Sequence, residues 1–551
     1  MQNRSCNPEV WGGIECTINR VGDRYRDQLE HANYYDSDAN TRAIAAMGFS
    51  FVRFPVLWEK HEPEKFGGID FSWAGRQLAI LREADVKPIV GLLHHGSGPL
   101  FTDLGDPKFP YLLATYAAKV AIEFPWVEYY TPVNEPLTTA RFSGLYGHWY
   151  PHQKSNYYFL KILLNQLKGV VLSMQSIRVV NPNAKLVQTE DLCKVHSTEY
   201  MRYQADFENE RRWLTQDILC GRVDEKHPLW QYLMDSGIDK KELAFFVNNP
   251  CPPAINGFNY YVTSERFLDE NLSQYPACTH GSNWIDRYAD TEAVRVDKRD
   301  GVKQLLAEAW NRYALPMALT EVHIGCTVEE QMRWFKETYD ACTGLNEKGI
   351  DVRGITAWSL LGSYDWNSLL TRIDYHYEPG AFDISGDQIK ATELARMTAA
   401  YANKESYDHP VLSGKGWWHG PQGLDAIEKN TPPILIVGNN ETLGNAFNKA
   451  CMVRNIHAVN LAGSLSDVNT EVLETLLHDY HAWGVIDVFE NDENSEQEDA
   501  DMHLVELVNR VLDELIEGYL ESPFIACDGK AFYHGLILAE KMGQDHAMEM
   551  S

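Results

Sequence analysis

The chain has 551 residues, 44% apolar and 23% charged, and a net charge of −29. That length exceeds one ordinary domain and points to two, a large barrel and a smaller partner. The acidity sets aside nucleic acid and anionic membrane as partners, since both would repel it, and no run of about 18 apolar residues is there to span a bilayer.

Met1 to Cys6 lead straight into strand-like sequence without an apolar signal region. The ten cysteines are scattered singly, with no Cys-x-x-Cys pair and no zinc-type His spacing. The expectation is a cytoplasmic protein with reduced thiols and no bound metal.

Up to residue 405, short β-like runs alternate with longer helical stretches. Eight strands are predicted, at Val10–Glu15, Phe51–Phe54, Pro88–Leu93, Glu128–Asn134, Lys185–Thr189, Ala254–Tyr260, Pro316–Thr320 and Ile355–Leu360. Most are nearly continuous apolar runs, as parallel strands buried on both faces require. Eight such units predict an α/β fold over residues 1–405, a (β/α)8 TIM barrel with insertions. Polar or aromatic residues close the runs: Glu15, Arg53, His94-His95, Asn134-Glu135, Glu190-Asp191, Asn259-Tyr260-Tyr261 and Glu321, with Trp366 after the last. Strand C-terminal ends form the active-site face of such a barrel.

Residues 406–432, rich in Pro, Gly and Trp, read as an ordered connector. Residues 433–551 predict a small Rossmann-like α/β domain with strands Ile434–Val437, Ala458–Leu461, Val485–Phe489 and Phe524–Ala526. The acidic run Glu490–Asp501 reads as a solvated loop.

The chemistry is carried by Glu135, in Thr131-Pro132-Val133-Asn134-Glu135-Pro136, and Glu321, in Ala318-Leu319-Thr320-Glu321. A glycosidase needs two carboxyl groups, one to protonate the leaving oxygen and one to attack the sugar or activate water. Asn134 is placed to hydrogen-bond a sugar hydroxyl. Arg53 is placed to hold Glu321 ionised, since a nearby cation lowers a carboxyl pKa, whereas Glu135 needs a raised pKa to keep its proton near neutrality. Glu190 and Asp191 read as structural. A metal role for His94 and His95 lacks a third ligand at suitable spacing.

Across Trp11 to Asp383 the chain resembles glycoside hydrolase family 1, the retaining β-glycosidases. The matching text is Trp11-Gly12, Val52-Arg53-Phe54 with Trp58, Leu93-His94-His95, the Asn134-Glu135-Pro136 block, Asn259-Tyr260-Tyr261, Thr320-Glu321, Trp358-Ser359-Leu360-Leu361 and Tyr377-Glu378-Pro379-Gly380-Ala381-Phe382-Asp383. The resemblance implies Glu135 as acid/base and Glu321 as nucleophile, with Tyr261 hydrogen-bonded to the nucleophile. It also implies His95 and Asn134 as sugar ligands and Trp358 as the platform beneath the sugar. Retaining chemistry implies carboxyl groups about 5 Å apart.

The departures concern recognition. The family usually has Glu-Asn-Gly at the nucleophile, where this chain has Glu321-Val322-His323. The family follows the sugar-binding His with Trp and Asp, where Gly96 and Ser97 stand here, removing a wall of the subsite. Asp365, next to Trp366, occupies the place of a sugar-gripping Glu. The N-terminal sugar-binding Gln is replaced, with Asn19 and Glu15 as the two candidates for its role. Altered recognition leaves room for a galactoside, fucoside or deoxy sugar in place of a glucoside.

After Ile434–Val437, the stretch Gly438-Asn439-Asn440-Glu441 opens a helix where a dinucleotide fold places its phosphate loop. The unit resembles the start of a dTDP-4-dehydrorhamnose reductase, a short-chain reductase type. Glu441 stands where such a loop wants Gly, and a carboxylate there repels pyrophosphate. No Tyr-x-x-x-Lys follows Pro433; the match at Tyr157 to Lys161 lies in the barrel. A truncated, redox-inactive domain binding no cofactor is the expectation.

The sequence therefore predicts a retaining, β-glucosidase-like exo-β-glycosidase with small β-glycosides or oligosaccharides as substrates, hydrolysis and transglycosylation remaining open. The alternatives are a catalytically retired sugar or sugar-nucleotide binding protein and, against Glu441, an NAD(P)-dependent oxidoreductase. Homo-oligomerisation is compatible with each.

Overall fold

The computed structural model describes residues 6–65, 67–386, 388–420, 432–463 and 470–488, and beyond them residues 508, 511–513, 515–516 and the strand Phe524–Ala526. The chain divides into two compact units. One comprises Met1–His323, Glu337–Ala391 and Thr398–Glu405; the other comprises Ile324–Lys336, Thr392–Met397 and Ser406–Ser551.

The first unit is built on eight parallel strands: β1 (Glu9–Gly13), β2 (Phe51–Pro55), β3 (Lys87–Gly91), β4 (Tyr129–Thr131), β5 (Lys185–Asp191), β6 (Ile255–Tyr260), β7 (Met317–Val322) and β8 (Val352–Ala357). Neighbours in sequence are neighbours in the sheet, and β1 closes on β8, giving a (β/α)8 barrel. Inside it one layer takes Trp11, Phe51, Ile89, Val187, Ile255 and Ala318, with Tyr129 packed against them. The indole of Trp11 lies over Gly354 of β8, where a Cβ would come 2.3 Å from the ring.

All eight predicted strands are present, with ends moved by a few residues. The fourth, expected to run to Asn134, ends at Thr131 because Pro132 has no N–H for the ladder; pairing resumes in a single bridge between His94 and Asn134. The loops after β5 and β6 contribute Lys194–Ser197 and Glu265–Asp269 to a four-stranded sheet, completed by Arg287–Glu292 and His280–Ser282, on the side of the barrel where strands end.

In the second unit, β9 (Ile434–Val437), β10 (Ala458–Asn460), β11 (Gly484–Asp487) and β12 (Phe524–Ala526) form a parallel sheet in the order β10-β9-β11-β12. Leu435, Val437 and Val485 centre its core. Arg454 donates to both oxygens of Glu329 and at 2.6 Å to Asp513, and Arg333 donates at 2.8 Å to the carbonyl of Arg454. The helix Glu441–Val453 follows β9, with Asn440 accepting from the Leu443 N–H. The connector residues 421–431, the acidic run and Phe489 lie outside the described residues.

Candidate active site

The strand ends bring Glu135 and Glu321 to one barrel mouth, both buried. Glu321 lies on β7 and is held from two sides. Arg53, on β2, donates from Nη1 to its Oε1 at 2.8 Å, and the Tyr261 hydroxyl donates to its Oε2 at 2.6 Å. The same guanidinium reaches the Thr320 carbonyl at 2.7 Å and, through Nη2, Asn134 Oδ1 at 2.7 Å. Thr189 donates to that amide oxygen as well. One cation thus orients the nucleophile candidate and a sugar-ligand candidate together.

The expectation that Arg53 keeps Glu321 ionised holds for the contact and needs correction for the balance. Burial outweighs the cation, so the Glu321 carboxyl sits above its ordinary range, while Arg53 and Tyr261 pull it back down. Glu135 is pushed well above that range, by burial first and then by the charge of Glu321. Among the described residues it has no Lys or Arg ion-pair partner. Asn259 Nδ2 donates to its Oε1 at 2.7 Å, and His95 Nε2 lies 3.6 Å from its Oε2. Burial takes His95 down to about 3, so the imidazole is neutral. Both carboxyls are thus raised, Glu135 the more strongly, and only Glu321 has a cation to draw it back.

Local backbone places them. Glu135 has φ 42° and precedes a helix whose first residue is Pro136, a ring already preset for helical φ. Glu190 accepts from the N–H groups of Leu137 and Thr138, satisfying donors at that helix start. His95, Ser359 and Asp365 share positive φ, at 53°, 56° and 58°.

Trp358 follows β8. Its ring lies beside Gly13, where a Cβ would come within 2.4 Å, and the Arg53 guanidinium sits 4.4 Å from its centroid. His94 lies nearly parallel to it at 5.3 Å. Its Nε1 donates to Glu15 Oε2 at 3.3 Å. Trp366 packs 5.7 Å from the His95 ring, and its buried Nε1 has no partner among the described residues. Asn19 is fully buried with both amide atoms unpartnered among those residues. Asp365 Oδ1 accepts from the N–H groups of Asp374 and His376, so one oxygen organises its own loop. Glu15 also has both oxygens engaged, the second by the Thr17 N–H at 2.9 Å. Of the two candidates for the missing Gln, the Asn19 side chain has no partner among the described residues, whereas each oxygen of Glu15 already accepts one protein donor.

Sequence reasoning missed two residues. Asn259 bridges the halves of the site, accepting from Thr320 and donating to Glu135; its place in the Asn-Tyr-Tyr run was the available signal. Glu59 fills the space opened by Gly96, where a Cβ would meet Glu59 Oε1 at 2.0 Å. The space beside Gly96 is thus taken by a carboxyl from the short helix Trp58–His61. Glu59 Oε1 accepts from Gly98 N–H at 2.9 Å, Oε2 is unpartnered among the described residues, and burial raises the group to about 8. A buried acid directly after Trp58 was its only trace in the sequence.

No family model matches the chain. A β-galactosidase of Sulfolobus acidocaldarius is 37% identical over 71 residues, 12% of this chain and 14% of that protein. Human lactase/phlorizin hydrolase is 20% identical over 442 residues, 72% of this chain and 22% of that protein. The chain thus spans less than a quarter of these curated relatives. Among solved structures, the family 1 β-glucosidase from Thermotoga maritima matches with a TM-score of 0.58 at 15% identity, covering 73% of this chain and 98% of that one. The likeness establishes the fold. An enzyme from Alicyclobacillus herbarius gives 0.57 at 16% identity.

Proposed function

We propose that this protein is a glycoside hydrolase acting on β-O-glycosyl bonds, a retaining exo-β-glycosidase of the family 1 type. The observation that carries the reading is the pair of buried carboxyls at one mouth, Glu321 held by Arg53 and Tyr261, Glu135 bonded by Asn259 with no Lys or Arg partner among the described residues. In the first displacement Glu135 protonates the glycosidic oxygen as that bond breaks, and Glu321 forms a bond to the anomeric carbon. In the second, water gives a proton to Glu135 and displaces Glu321, restoring both groups. Asn134, His95, Asn19, Asp365 and Trp366 bind the sugar, and Trp358 forms its floor. The names of the relatives, β-galactosidase and β-glucosidase, support small β-glycosides as substrates.

For the C-terminal residues 433–551 we propose a redox-inactive, Rossmann-like unit without cofactor, joined through 406–432 to a barrel at 1–405. Glu441, in the first turn of its helix, is the residue that supports this. The nine described cysteines are all free, which suits a cytoplasmic setting. The test is initial rates on aryl β-gluco-, galacto-, fuco-, xylo- and mannosides, with Glu321→Gln as blank, and the anomer first released read by NMR. Turnover lost in the variant and β-anomer released first are expected. Release of the α-anomer would overturn the retaining mechanism, and silence of well-folded protein across the panel would overturn the enzyme.

A further inference from the structure

Glu15 is the buried carboxyl of this mouth that the mechanism leaves unused. It lies just beyond β1, and its two oxygens meet two N–H donors, Thr17 N at 2.9 Å and Trp358 Nε1 at 3.3 Å. Two donors on two oxygens is an arrangement that only a carboxylate satisfies in full; a Gln side chain has one acceptor oxygen and leaves one donor unmatched. The donor on the Trp358 side is the ring proposed as the floor beneath the sugar, so whatever Glu15 does to that N–H reaches the substrate.

We propose that Glu15 is a positioning residue: its carboxylate holds the indole of Trp358 in place under the sugar and sets a second negative charge beside Glu321. This rests on the glycosidase reading. The charge matters because a glycosyl transition state carries positive charge at the ring, and an anion fixed beside it in a water-poor site stabilises that charge without reorganisation.

Opposed influences act on Glu15. Burial is the largest and favours the neutral form, as does the charge of Glu321; the bonds from Thr17 and Trp358 favour the anion; the balance lies at about 7. The other ionisable groups at this place are Cys16, kept neutral by burial, Arg53 across the Trp358 ring and Tyr261 on Glu321. The neutral His94 lies along the other ring contact. Glu15 therefore changes charge within the working range of the site, and the anion is the form that holds Trp358 best.

The experiment uses the full chain and the aryl β-glycoside that wild type turns over best. It measures kcat and KM against pH for wild type, E15Q, W358F and the double variant. Wild-type kcat is expected to fall through an inflection near neutrality as Glu15 takes up a proton. E15Q lacks that inflection and runs about tenfold slower above it, the scale of one charge-assisted hydrogen bond. Because Phe keeps a ring and removes the N–H, E15Q and W358F should be non-additive. In W358F the carboxylate loses a donor, so the inflection moves to higher pH, which tests the proposal even if E15Q does not fold. An E15Q profile that superimposes on wild type, an additive cycle, or an unmoved inflection in W358F overturns the proposal while leaving the glycosidase intact. Absence of wild-type turnover overturns the glycosidase reading and the proposal with it.

Discussion

Glu59→Gln tests whether a carboxyl has been buried beside Gly96 at a cost to stability. The side chain is buried beside Gly96, one oxygen bonded to Gly98 N–H and the other unpartnered among the described residues. Burial moves it from an ordinary 4.5 to about 8, with Asp27 adding to the rise and the Gly98 bond opposing it. A folded-state pKa above the unfolded one means the folded protein binds the proton more tightly. Its contribution is therefore fully present below about pH 4.5 and is lost as pH rises through about 8. At ~1.4 kcal/mol per pH unit the full effect has a ceiling of about 5 kcal/mol, and some 3 kcal/mol of it falls between about pH 5 and pH 8. The Gln side chain keeps the volume and an acceptor for Gly98 but does not titrate. Thermal unfolding of wild type and variant at those two pH values isolates this group, since every other titration is common to both. The barrel transition of Glu59→Gln should stand roughly 3–6 °C above wild type at the higher pH and close to it at the lower. An equal gap at both pH values would refute the assignment of Glu59 as a buried, protonated acid.

Arg53→Met removes the cation from Glu321, so the carboxyl ionises later: the acidic limb of kcat/KM should move to higher pH, with activity down by roughly a hundredfold or more. Glu190→Ala strips the acceptor from Leu137 and Thr138 N–H and loosens the helix that aims Glu135. We expect a loss of about 1–3 kcal/mol in unfolding free energy and a fall in kcat that exceeds any rise in KM. In the second unit, Arg454→Met strips the buried Glu329 of its bidentate cation and leaves the Thr327 hydroxyl as donor, at a cost of about 3–5 kcal/mol that a melt of that unit's transition reads. Adding Glu329→Gln should recover much of it, and no recovery would show that the Arg454 contacts to Asp513 carry the effect.

The barrel was legible because its strands are apolar on both faces, so eight runs stand out against helical stretches whatever the loops do. Their ends were less so: Pro132 stops β4 early through a missing N–H that hydrophobicity does not register. Glu135, Glu321, Arg53 and Tyr261 could be read because they lie in short motifs at strand ends, where the fold aligns them. Glu59 could not. Its role depends on Gly96, a residue far along the chain, and a compensating pair of that kind leaves no local pattern. Glu15 was noticed, though as a candidate sugar ligand; only the geometry assigns both its oxygens to protein donors.

The departures from family text do not fall evenly over the site. Around Glu321 the groups that control ionisation, Arg53 and Tyr261, make their expected contacts, and the changed neighbour His323 is buried and neutral, taken down to about 4. A neutral neighbour alters little of the nucleophile's field. Elsewhere at the mouth the changes are of charge: the Glu59 carboxyl stands beside Gly96, and Glu15 bonds the Trp358 ring. Both carboxyls are raised into or near the neutral range by burial rather than by a partner. On the glycosidase reading, a mouth built in this way responds to pH through groups other than Glu135 and Glu321. The substrate panel should therefore be run across pH, since a sugar rejected at one pH can be accepted at another as Glu59 and Glu15 exchange protons.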